Sequence, residues 1–157
     1  MTADGAVIES GEAQTTVRAA FDAIEAEIDR VAGDTGCDPA AAAGAFLGLG
    51  ERVLEIWVEG RGDVPTRDQK EGFRLLALHR QGAKGEPSFN ACRETCRELA
   101  YHYNLITLEP GHAETPQRVR VMGLVVRHLC LFVSGKMQVA GLGEFCCSSK
   151  PLRGDGK

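Results

Sequence analysis

The chain has 157 residues, 43% of them hydrophobic and 25% charged, with a formal net charge of −4. That length and mix fit one globular core and exclude the low-hydrophobicity, high-charge composition of a disordered chain. The most apolar run, Val121 to Val133, holds Arg127 and His128 and falls short of the roughly 20 apolar residues of a membrane span, so no membrane is expected as a partner.

Residues 1–12 lack periodicity and carry Asp4, Glu9 and Glu12, which reads as a flexible leader. They show no basic start followed by an apolar stretch, so no secretory signal is visible and a cytoplasmic location is expected. From Val17 the pattern turns helical: Val17, Phe21, Ile24, Ile28 and Val31 step along one face of a first helix. Asp38 followed by Pro39 is a start signal for a second, with Phe46, Leu49, Val53, Ile56 and Trp57 on its buried side. Gly44 and Gly48 are expected to let a neighbouring helix come close, and Gly48 with Gly50 makes a break there the competing expectation.

Thr66 with Gln69 spells a capping box for a third helix that ends near Gly82. Gly82 to Pro87 connects it to a fourth helix, capped by Ser88 or Asn90, on which Phe89, Cys92, Cys96, Leu99 and Tyr103 form the apolar stripe. After a turn at Pro110 and Gly111, residues 119–133 read as the most buried helix, with Arg120, Gly123, Arg127 and Ser134 as its polar strip. The β-branched valines of this stretch allow a rival reading, a short β-hairpin near 129–140 turning at Ser134-Gly135. The whole reads as mainly α, a single-domain bundle of about five helices over 13–145, followed by a loose C-terminal tail at 146–157.

Six cysteines are many for a chain without a secretory signal, and in a reducing compartment they are expected as thiols or metal ligands. Cys92 and Cys96 lie one helical turn apart, which puts their Cβ atoms about 5 to 6 Å apart. With Cys130, and with Cys146 and Cys147 from the tail, they form the candidate site for zinc or an Fe–S cluster, both of which accept four thiolates. Arg93 and Arg97 flank the helical pair in sequence and so also suggest a thiol redox switch, although neighbouring helix positions do not face each other. Buried free cysteine is also an ordinary small hydrophobe, and core filling is the competing reading.

Glu94, Glu98 and His102 make one polar row where a di-iron bundle needs two, so they read as a solvated face. His128, inside the apolar run, is the histidine that invites inspection. Neither a phosphate-loop fingerprint nor a nucleophile with its base is present, which favours a binding protein over an enzyme. The charge is split: residues 1–66 hold 4 basic and 13 acidic side chains, and residues 67–157 hold 14 and 9. Arg67, Lys70, Arg74 and Arg80 are placed to touch phosphates, but the acidic total argues against nucleic acid as the partner.

The function expected from these features is a small cytoplasmic regulatory or accessory binding protein that senses metal, Fe–S status or redox state through its cysteines. The alternative is a helical protein–protein interaction module, pairing with a protein partner or with itself, in which cysteine only fills the core.

Overall fold

The computed structural model describes residues 2–142, with side chains described from Thr16 onward. Within them the order is α1 (Thr2–Gly33), α2 (Pro39–Gly60), α3 (Arg74–Ala83), a 3-10 helix (Pro87–Cys92), α4 (Arg93–Leu108) and α5 (Thr115–Ala140). The mainly helical bundle of five α-helices follows the sequence pattern, and no strand occurs among the described residues. The helix of α1 already starts at Thr2 and so includes the stretch read as a leader. The tail at 146–157 lies outside the described residues.

Asp38 caps α2 as its sequence implies: its Oδ2 accepts the Ala41 amide at 3.1 Å, and Pro39 opens the first turn, where its missing N–H is no loss. The helix then runs unbroken through Gly48 and Gly50. It is the axis of the fold, packed against α1, α3, α4 and α5. Phe46, Val53, Leu54 and Trp57 are therefore buried within it. Close approach occurs at Gly50, where a Cβ would stand 3.0 Å from Leu99 and 3.2 Å from Leu75, whereas Gly44 and Gly48 have nothing within 4 Å.

The capping box at Thr66 does not form, and α3 begins only at Arg74. Thr66 is occupied otherwise: its amide donates to Gln81 Oε1 at 2.8 Å, its carbonyl accepts Arg74 Nε at 2.9 Å, and its hydroxyl accepts the Asp68 amide at 3.0 Å. A turn with Glu71 at φ 55° and Gly72 at φ 86° then reverses the chain into α3. Arg74 also reaches α2, meeting Glu55 at 2.5 Å and Glu51 at 3.7 Å, so it is not available for phosphate.

The hairpin near 129–140 is replaced by one continuous helix, α5, which ends at Gly141 with φ 75°. Met122, Val126, Leu129, Val133 and Met137 recur at helical spacing and are all fully buried, and that continuous apolar stripe outweighs the β-preference of the valines. The helix is an outer one, however, not the most buried. Leu124, His128, Leu131, Gly135 and Val139 form an exposed face, because α1, α2 and α4 cover only the other side. Gly123, expected on a polar strip, instead faces Phe46, where a Cβ would stand 3.1 Å from the ring. No described helix is long and apolar enough to cross a membrane.

Candidate functional site: a buried thiol pair at a helix corner

The corner between α3 and α4 is set by local sequence. After α3 the chain extends at Lys84, turns at Gly85 in the left-handed region that favours glycine, and starts the 3-10 helix at Pro87. This turn carries Phe89 into the core, fully buried and stacked on Trp57 with centroids 4.6 Å apart and planes 6° apart. On its other flank lies the His79 ring of α3, at 5.4 Å. The terminal carbonyls of α3 are answered from α2: Gly82 O accepts both Trp57 Nε1 and Arg61 Nη1 at 2.9 Å, and Lys84 O accepts Arg61 Nη1 at 3.3 Å.

Two further donors converge on the Phe89 carbonyl. His79 Nε2 lies 3.1 Å from it, and Cys92 Sγ donates to it at 3.3 Å. A carbonyl only accepts, so the His79 contact is a hydrogen bond when Nε2 carries the proton. Cys92 ends the 3-10 helix and is the N-terminal flank of α4, and Cys96 lies one turn on; both are buried.

Cys92 is the more acidic thiol of the pair. The neighbouring Cys96 thiol holds it below the ordinary thiol range; burial opposes this, and the His79 ring assists. Cys96 is driven well above that range, because Cys92 holds its proton in place and burial disfavours a second charge. The two therefore titrate as a coupled unit. The N-terminus of α4 favours a negative charge at this position.

Of the cysteines singled out by sequence, the fold brings together only Cys92 and Cys96 among the described residues. Cys130 is buried and turned toward α1, where burial and then Glu25 push its thiol up to about 12, the reverse of an activated sulfur. Cys37 is half-buried at the start of α2 and donates to Asp38 O at 3.5 Å. Cys146 and Cys147 lie outside the described residues. Among the described residues no group of three His, Cys, Asp or Glu side chains is placed to hold a metal ion.

His128 is exposed on the outer face of α5, and Glu94 and Glu98 are exposed on α4, where His102 Nδ1 contacts Glu98 O at 2.9 Å. The residue that sequence reasoning missed is His79. It sits on the apolar side of α3, and only the turn at 84–86 brings it to the cysteines. No protein-family model, curated protein or solved structure matches the chain.

Proposed function

We propose that this chain is a small regulatory or accessory binding protein whose state is set by the Cys92–Cys96 pair. The observation that carries the reading is the pairing itself: two buried thiols one helical turn apart, Cys92 the more acidic, with Cys92 and His79 meeting at the Phe89 carbonyl, all at the joint between two helices. A thiol pair of this kind responds to a small hydroperoxide. The Cys92 thiolate attacks one peroxide oxygen, giving a sulfenic acid and releasing alkoxide, which takes up a proton to leave as alcohol. The Cys96 sulfur then displaces the sulfenic oxygen, which leaves as water with the Cys96 proton. Two thiols and one hydroperoxide become a disulfide, one alcohol and one water.

The disulfide would act on shape. Helical residues four apart hold their Cβ atoms about 5 to 6 Å apart, whereas a disulfide needs about 3.5 to 4.5 Å, so the first turn of α4 must re-form around it. Cys92, with φ −99° and ψ 12°, already departs from helical geometry and is where that change starts. Both thiols are covered, so reaction awaits a local opening of the corner and proceeds slowly. The same two thiolates would serve zinc or an Fe–S cluster if one tail cysteine, Cys146 or Cys147, and one further ligand completed the site.

Trp57 is the only tryptophan, and it is stacked on Phe89, so its emission reports on this corner. In protein purified without oxygen, a stoichiometric hydroperoxide is expected to change Trp57 emission, and the Cys92→Ser and Cys96→Ser proteins are expected not to respond. Persistence of the change in both variants would overturn the reading. Zinc or iron lost on these substitutions would identify the sensed state as metal occupancy.

The second reading, an interaction module, is favoured by one observation: the exposed Leu124, Leu131 and Val139 line one face of α5. That reading expects partner binding or self-association to survive alanine at both Cys92 and Cys96 and to fail in Leu124→Glu.

A further inference from the structure

A hollow of about 470 Å³ opens on the outer side of the same corner, lined by Lys70, Arg80, Lys84 and Arg93 with His79 and Asn90. Four cations and no carboxylate line it. None of the four forms a salt bridge among the described residues, while Arg30, Arg52, Arg74, Arg97, Arg118, Arg127 and Lys136 all do. Like charges gathered without counter-charges repel one another, and an anion in the hollow removes that repulsion.

The size and borders of the patch indicate the kind of anion. The hollow is open to solvent and has room for a small anion. A second hollow along α3 and α4 is lined by Glu71, Glu94 and Glu98 with Arg97, so the positive lining does not continue into it as a track for a long nucleic-acid backbone. Arg74, which would have extended it, is held by Glu51 and Glu55. Two arginines present forked donors that match phosphate oxygens, and two lysines add point charges.

We infer that this hollow binds a small, multiply charged phosphate compound of the diphosphate class, held by Arg80, Arg93, Lys84 and Lys70. The inference stands apart from the thiol reading, because it needs no change at Cys92 or Cys96. The shared chemistry is the diphosphate group, whether inorganic or carried on a nucleoside.

Calorimetric titration of the reduced full chain with inorganic pyrophosphate, and separately with ADP, at an ionic strength of about 0.15 M tests it. Saturable binding is expected. Arg80→Ala and Arg93→Ala should each weaken it about tenfold, the scale of one charge-assisted contact. Arg120→Ala, an exposed cation on α5, should leave it unchanged. Circular dichroism checks that each variant is folded; should Arg93→Ala fail at the start of α4, Lys84→Ala in the connecting turn gives the same reading. Equal affinity for the two probes points to the inorganic diphosphate group, and tighter ADP binding points to a nucleotide. Absence of saturation to about 10 mM of either probe overturns the inference, that being weaker than the millimolar affinity expected of a specific small-anion site. So does unchanged affinity in Arg80→Ala and Arg93→Ala, or binding of a DNA duplex that pyrophosphate does not compete away.

Discussion

Phe89→Ala is expected to lower folding stability by about 3 to 5 kcal/mol, among the largest effects of any single truncation in this chain. Phe89 is fully buried and lies between the Trp57 and His79 rings, with Phe132 at 6.1 Å on a further side. Removing the ring leaves a cavity that Trp57 cannot readily fill, because its Nε1 is tied to Gly82 O. Urea unfolding of the variant beside wild type checks the figure. Tyr101→Ala, at an exposed aromatic, is the contrast and should change stability by no more than about 0.5 kcal/mol. A loss below about 1 kcal/mol for Phe89→Ala would mean that the ring stack does not anchor the corner.

The second large effect is expected at Gly82. A Cβ there would stand 2.7 Å from Trp57 Cδ1 and 3.0 Å from Phe89 Cε2. Ordinarily alanine is the better helix former by about 1 kcal/mol, which would make Gly82→Ala stabilising. Here the neighbour is a ring held at both ends of the contact, stacked on Phe89 and hydrogen-bonded to the very carbonyl of Gly82. Overpacking against it costs about 1 to 3 kcal/mol, so a net loss is expected, together with a shift in Trp57 emission. Unfolding and fluorescence on one sample decide the sign. A more stable protein with native emission would show that the ring moves freely.

Much of the bundle was legible because helices announce themselves by period. Phe21, Ile24, Ile28 and Val31 are buried as their spacing requires, and the Asp38-Pro39 start of α2 is realised atom for atom. The capping box at Thr66 failed because its groups were claimed by Gln81 and Arg74, partners distant along the chain. The ranking of α5 as the most buried helix failed for a similar reason: composition records how apolar a helix is, and the number of neighbours decides how much of it is covered.

The site was half legible. Cys92 and Cys96 share a helix turn, and spacing alone predicts their proximity. His79 reaches them through the turn at Gly85; local sequence marks that turn but not which side chains it brings together. Cys130 looked like a companion because it too lies on an apolar stripe, yet α5 presents it to α1. The positive hollow left a faint trace in the charge split between the halves of the chain: all four of its cations come from the basic half.

Whether Cys92 and Cys96 act together as the responsive pair is decided by peptide mass mapping after titration with a hydroperoxide. A Cys92–Cys96 disulfide is expected, formed before Cys130 is modified, with the chain lighter by two hydrogens. Free thiols at Cys92 and Cys96 in protein whose Cys130 has already been oxidised would contradict it.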